Sequence, residues 1–268
     1  MNRLNILIPF FITWFTLIIS VKTKKEIWAV SDRDDFPIVQ SQQTSTGLLW
    51  QKSGWNLDME VYYKNSNGLT SISSGFESVE NNFTGGGSTT RGLDILLKKK
   101  IKNYATWLSY TYSKTDFVFD DLNEGKSFTG NNDITNSLTW SQSFTHNSFQ
   151  FSMGWNFRTG IPFTGASTRI ENDAVEIDFE TLNNQRLKDY HRLDVSALYE
   201  FKKNQKDNGI RWRLGMSLLN VYGRQNELRK DFELFHTIDD EGNTNTELRE
   251  LTRFSLGFTP NLVFRLNF

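Results

Sequence analysis

The chain of 268 residues has no cysteine, which excludes disulfide scaffolds, thiolate metal sites and cysteine nucleophiles. Its three histidines, His146, His191 and His236, stand far apart, so no His-rich metal-ligand spacing exists. An excess of charge of one sign is also missing. Thirty Lys and Arg against 31 Asp and Glu leave a net charge of −1, without the basic footprint of a nucleic-acid binder. Proline is scarce, at four residues, while Asn, Ser, Thr and Gly are plentiful. Nothing in this composition calls for a cofactor, a metal or a catalytic residue.

What is abundant is aromatic. Phe, Trp and Tyr make up 14% of the chain, yet its mean hydropathy is −0.50. The aromatics recur at alternate positions beside polar residues. Phe149, Phe151, Met153, Trp155 and Phe157 alternate with Gln150, Ser152, Gly154 and Asn156. Trp55, Leu57, Met59, Val61 and Tyr63 alternate with Asn56, Asp58, Glu60 and Tyr62. Leu193 to Phe201 and Ile210 to Leu218 repeat the pattern. A period of two with one apolar and one wet face marks antiparallel strands. The spacing predicts strands near 38–51, 54–65, 90–100, 103–115, 133–145, 148–158, 188–202, 210–222 and 251–268.

Many of these exceed ten residues, against a mode of about 5–6 in globular sheets. Bulky aromatics on one face and Asn, Ser, Thr, Gly and Arg on the other fit lipid outside and a wet lumen inside. The connections alternate in length. Those around Ser53, Lys102 and Asn147 and the one from Lys202 are short. The stretches 66–89, 116–132, 159–187 and 223–250 are long. Membrane barrels have short periplasmic turns and long extracellular loops. The fold class read here is therefore all-β: an antiparallel transmembrane β-barrel of about nine to ten strands, a partial barrel. Nine strands is an odd count, and Glu26–Asp32 is the candidate for a tenth.

The amino terminus differs from the rest. Arg3, an apolar run from Leu4 to Val21, and Lys22, Lys24 and Lys25 read as a signal-peptide-like or spurious hydrophobic leader over residues 1–21, with an uncleaved membrane helix as the alternative. Residues 22–37 read as a linker or further strand, and 38–268 as the barrel portion. The run Gly85–Gly87 lacks the Lys-Ser/Thr of a phosphate-binding loop and reads as a flexible surface loop. Asp120, Asp121 and Glu124, and Asp239, Asp240 and Glu241, lack calcium-loop spacing and read as solvated loop charge. His191, Asp194 and Ser196 do not make a triad, because His191 and Asp194 fall on opposite faces of one strand. Tyr190 and His191 suit an interfacial belt. Arg158, Arg211, Arg213, Arg253 and Arg265 are candidate lumen-lining residues, paired with lumen or plug carboxylates.

Four stretches carry a family resemblance: "FRTGIPFT" (Phe157–Thr164), "NNQRLKDYHRLDVSALYEF" (Asn183–Phe201), "SLLNVYGRQNE" (Ser217–Glu227) and the terminal strand ending in Phe268. Over about residues 26–268 the chain resembles the carboxy-terminal half of the barrel of a TonB-dependent outer-membrane receptor. The resemblance implies uptake of a siderophore, vitamin or saccharide in the outer membrane of a Gram-negative bacterium. It implies outer-membrane lipid, the barrel assembly machinery and TonB as partners. Phe258, Phe264 and Phe268 would form the assembly signal. It also implies a truncated receptor without its plug domain, not competent alone, and no enzyme. A small self-contained outer-membrane barrel, a pore or adhesin, is the alternative.

Overall fold

The computed structural model describes residues 3–8, 31, 36–72, 83–171, 174–201, 211–238, 242 and 244–267. Ten strands follow one another across one sheet. In chain order they are β1 (Arg3–Ile8), β2 (Gln40–Lys52), β3 (Trp55–Ile72), β4 (Phe83–Ile101), β5 (Tyr104–Phe119), β7 (Asn136–His146), β8 (Phe149–Arg158), β13 (Tyr190–Phe201), β14 (Arg211–Leu219) and β17 (Thr259–Asn267). The short β6 (Phe128–Thr129) pairs with β5. The long connections hold three further pairs. These are β9 (Pro162–Phe163) with β12 (Gln185–Arg186), β10 (Ala166–Glu171) with β11 (Ala174–Phe179), and β15 (Glu227–Ile238) with β16 (Thr244–Phe254).

The sheet order is β1-β17-β14-β13-β8-β7-β5-β4-β3-β2, and each of these neighbours pairs antiparallel. Among the described residues β1 and β2 do not pair with each other, so the sheet is open. No helix among them is long and apolar enough to cross a membrane. The expected extra strand at Glu26–Asp32 lies outside the described residues apart from Ser31. The tenth strand of the sheet is instead β1, whose register sets Leu4 opposite Leu266 and Ile6 opposite Phe264.

One end of the sheet is closed by tight hairpins. Lys52 pairs with Trp55, Ile101 with Tyr104 and His146 with Phe149, leaving two-residue turns. Ser53, Lys102 and Asn147 open these turns at φ of 50, 47 and 52°. Positive φ at that position gives a turn twist that matches the right-handed twist of the strands.

Register carries one apolar face across the whole sheet. Trp50, Leu57, Leu97, Leu108, Trp140, Trp155 and Leu193 form one row of opposed partners. Ala197, Met216 and Leu262 continue a neighbouring row. Aromatics gather towards the hairpin end. The Phe149 and Tyr199 rings lie 4.6 Å apart, Tyr199 and Phe201 4.6 Å, and Trp212 and Phe264 5.7 Å. Polar atoms on this face are bonded sideways: the Tyr104 hydroxyl donates to Gln142 Oε1 at 3.1 Å and the Trp140 indole to Thr106 Oγ1 at 3.2 Å. From Phe201 to His191 the strand advances ten residues. At ~3.3 Å per residue and a tilt of ~40° this is about 25 Å of depth, the height of a barrel's apolar band.

The opposite face is wet. Ser141, Ser143, Ser152, Ser196 and Ser217 pave its centre, with Gly154 and Gly215 between them. Tyr62 lies flat over Gly92, where a Cβ would come within 2.2 Å of its ring.

Two expectations change. The strands rise further at the far end than the pattern shows, so Gly85–Gly87 is not a flexible loop but part of β4. A bulge between Asn67 and Leu69, with Gly68 at φ 78°, keeps β3 in register there. The strand expected over 251–268 is two. Ser255 N–H donates to the Asn226 carbonyl at 2.8 Å and the Leu256 carbonyl accepts from Asn220 Nδ2 at 3.1 Å. These bonds draw the backbone out of the ladder. Arg253 therefore belongs to the β15–β16 hairpin, Phe258 to the break, and Phe264 to β17. Phe268 lies outside the described residues.

The two faces should respond oppositely to charge. Val195→Arg, in the middle of β13 on the apolar face, is expected to destabilise the chain folded in phosphatidylcholine vesicles by about 2–4 kcal/mol. Ser196→Arg, one residue on, should cost under ~1 kcal/mol. Urea titration of the vesicle-folded chain measures both, and equal costs would contradict the face assignment.

Candidate functional site

At the end opposite the hairpins the connections fold into a rim. Three short stretches build it. Asn220, at φ 52° and 1% exposed, turns the chain out of β14. Its N–H donates to Asp194 Oδ1 at 2.8 Å, its Nδ2 to the Arg224 carbonyl at 2.8 Å, and its Oδ1 accepts from Arg224 N–H at 3.1 Å. Asn226, also 1% exposed, bonds both sides of the His191 backbone at 3.0 Å each. Gly160 passes so close to Leu187 that a Cβ would sit 1.7 Å from its carbonyl oxygen, and Gly160 N–H donates to Asp189 Oδ1 at 3.2 Å. The Asn220 and Asn226 amides each bond through both oxygen and nitrogen, as buried polar groups must.

An ion pair with a buried carboxylate ties two of the connections together. Asp133, its side chain 1% exposed, meets Arg186 at 2.6 Å. Its carboxylate also accepts from Thr115 N–H at 3.0 Å and the Thr135 hydroxyl at 2.8 Å. Arg186 donates further to the Gly160 carbonyl at 2.9 Å. Burial pushes the Asp133 carboxyl up. The Arg186 guanidinium and the two other donors outweigh it, and hold the group below the usual carboxylate value. Glu227 behaves alike: burial raises it, but the Lys188 N–H and ammonium, with Lys230, bring it below the usual value. Asn183 Nδ2 bonds the Thr129 carbonyl and Asn131 Oδ1 at 2.6 Å each, adding a second tie between the same connections.

Within this rim three cavities of about 460, 460 and 500 Å³ adjoin, each sharing lining residues with the next. The first is floored by Phe117, Phe119 and Phe128, with rings 6.0 to 6.3 Å apart and interplanar angles of 14 to 31°. Phe119 lies against Gly86, where a Cβ would come within 2.4 Å of the ring. Asn131 and Asn132 are shared with the second cavity. Phe163, Thr164, Arg229 and Lys230 join the second to the third. The cations here are matched: Arg229 meets Asp231 at 2.6 Å and Lys230 meets Glu250 at 2.7 Å. The result is an open groove with an aromatic end, amide walls and paired charge.

The five arginines singled out from sequence do not converge. Arg158 lies at the rim, its guanidinium 4.6 Å over the Tyr190 ring. Arg213, on the wet face near the hairpin end, pairs with Glu200 at 2.7 Å and stands opposite Arg265. Arg211 is opposite Asn267 in register. Arg253 pairs with Asp231 at 3.5 Å in the outer hairpin. No triad forms either: His191 Nδ1 is 2.8 Å from the Tyr222 hydroxyl, and Asp194 is held by Arg192 at 2.6 Å. Among the described residues no cluster could hold a metal ion. Sequence reading missed Asp133, Arg186 and the three phenylalanines. Asn220 and Asn226 stand in a quoted motif, but nothing local shows that Asp133 and Arg186, distant in sequence, meet.

Residues 33–221 match the family described as "TonB dependent receptor-like, beta-barrel". Among solved structures the chain is similar to the ferripyoverdine receptor of the outer membrane of Pseudomonas aeruginosa bound to ferripyoverdine. The TM-score is 0.53 at 12% identity, over 86% of this chain and 27% of that one. It is similar to the FrpB iron transporter from Neisseria meningitidis, with a TM-score of 0.52 at 11% identity, over 85% and 31%. The FpvAI–pyocin S2 complex gives 0.52 at 12%, over 85% and 26%. The chain thus spans about a quarter to a third of the length of these structures. A search of curated proteins finds none that matches.

Asp133→Asn should loosen the rim. The stabilisation from the carboxylate is present above the ordinary carboxylate value near ~3.9 and fades as pH falls through the depressed folded value. Limited proteolysis of the folded chain is expected to cut within residues 120–135 faster in the variant at pH 7, by a cost of about 1–3 kcal/mol. The rate in the variant should show no carboxylate step on acidification. An unchanged cleavage rate would contradict the latch.

Proposed function

The chain belongs to the TonB-dependent receptor β-barrel family, and on that premise we propose that it forms wall and mouth of an outer-membrane uptake receptor. The observation that carries this reading is the asymmetry of one continuous amphipathic sheet: two-residue hairpins at one end, and a built rim with a ligand-sized groove at the other. Members of this family are outer-membrane receptors and transporters rather than enzymes. On this reading the hairpins face the periplasm, the rim faces outward, and the apolar face meets outer-membrane lipid. The ligand is a siderophore, vitamin or saccharide that enters through the groove. The receptors bound to ferripyoverdine or transporting iron support the first of these classes by fold alone.

Uptake itself needs more than an open sheet. A plug, further strands and TonB are the partners of this wall, and this chain alone does not transport. On the receptor reading residues 1–21 serve export, so the β1 segment then leaves the sheet with the leader, and the barrel assembly machinery reads Phe258, Phe264 and Phe268. The alternative of a small self-contained barrel draws on β1, which brings the sheet to the even number of strands that bacterial barrels use.

Produced as a full chain in a Gram-negative host, the protein should sediment with outer-membrane fragments and migrate faster on gels unless boiled. Phe268→Ser should reduce the assembled fraction several-fold. Recovery of the wild-type chain only in the cytosol would refute the reading.

A further inference from the structure

The hairpin end carries a feature that ligand uptake does not use. The turns between β2 and β3 and between β4 and β5 lie side by side, joined by Lys100 N–H donating to the Gly54 carbonyl at 3.1 Å. Residues 50–57 and 97–104 contain five lysines and no acidic residue. Lys52, Lys98, Lys100 and Lys102 are exposed, and none of the five makes an ion pair among the described residues. The turn between β7 and β8, at the same end, has no lysine or arginine. The β13–β14 connection at this end is also basic, with Lys202, Lys203 and Lys206, but it contains Asp207, whereas the paired β2–β3 and β4–β5 turns contain no acid.

Its position is specific. Lys52, Trp55 and Lys99 are direct cross-strand partners, so all three stand on the apolar face. Lys99 Nζ lies 4.6 Å over the Trp55 ring and donates to the Ser53 carbonyl at 2.9 Å. Trp50, 43% exposed, stands one row deeper on the same face. The nearest acids in sequence, Asp58 and Asp94, alternate onto the wet face. Tryptophan rings sit at the headgroup level of a bilayer, and lysines beside them extend their ammonium groups to it. Unpaired cations at that depth, on the lipid side, call for a phosphate.

We propose that the Lys52–Trp55–Lys99 row with Lys102 binds the headgroup of an anionic phospholipid in the leaflet at the hairpin end. The proposal rests on the membrane reading above. A soluble acidic protein fits less well, because the row faces lipid and is flanked by exposed tryptophans.

The test uses the full chain folded into phosphatidylcholine vesicles that hold a minor fraction of brominated phosphatidylglycerol or brominated phosphatidylcholine. Bromine quenches nearby tryptophan. Quenching should be stronger with the anionic lipid, and high salt should remove the difference. The Lys52→Gln, Lys99→Gln, Lys102→Gln triple variant should lose the preference, by about fivefold per lysine from roughly 1 kcal/mol per cation near a surface. The matching Arg triple should keep it. Equal quenching by the two lipids in the wild type, or an unchanged Gln triple, would overturn the proposal. So would binding of soluble polyglutamate without any lipid preference. A chain that does not enter vesicles at all, judged by the absence of a heat-dependent gel shift, overturns the membrane reading and this site with it.

Discussion

Everything in this chain follows from the pairing of strand backbones. In hydrocarbon no water can satisfy an N–H or C=O, so a crossing segment must find its partners in a neighbouring strand. Between successive long strands the chain does so with ladders of seven to seventeen opposed residues, while among the described residues the outer edges of β1 and β2 stay unpaired. Register then does the rest. Because side chains alternate, one fixed register aligns Trp50, Leu57, Leu97, Leu108, Trp140 and Trp155 on one face and the serine pavement on the other. A slip of one residue would exchange lipid and water for every side chain.

The rim solves a different problem. There the ladder stops, and polar side chains replace it. Asn220 and Asn226 satisfy backbone groups that leave the strands, and the pair Asp133–Arg186 fixes two connections against each other. The two asparagines and the Asp133 carboxylate are buried and hydrogen-bonded, and Arg186 reaches the carboxylate from the exposed side. Hairpins β10–β11 and β15–β16 then project from it with exposed apolar tips, Ile170 and Ile238. Three of the four motifs that mark the family from sequence are the segments that build this rim. Asn226 lies in one motif and clasps the His191 backbone in another, and Gly160 of a third meets Leu187 and Asp189 of the second.

The sheet was legible in sequence because alternation is a local signal. The turns at Ser53, Lys102 and Asn147 and the face of each long strand could be read residue by residue. Strand ends at the rim could not. Gly85–Gly87 lacks side chains to alternate, and its place in β4 is set by Phe119 lying across Gly86, a contact between strands. The break after Phe254 is likewise set from outside, by Asn220 and Asn226 capturing the backbone of 255–256. The Asp133–Arg186 pair left no trace in either local sequence. Alternation reports faces, whereas capture of one segment by another needs the fold.

The central claim is that this amphipathic sheet crosses the outer membrane with its hairpins inward and its rim outward. The absence of native cysteine allows a direct measurement. Single cysteines at Ser167 in the β10–β11 hairpin and at Asn147 in the β7–β8 turn can be exposed to a membrane-impermeant maleimide on intact cells. The account predicts rapid labelling at position 167 and labelling at position 147 only after the envelope is opened. Labelling of both in intact cells, or of position 147 alone, would contradict it.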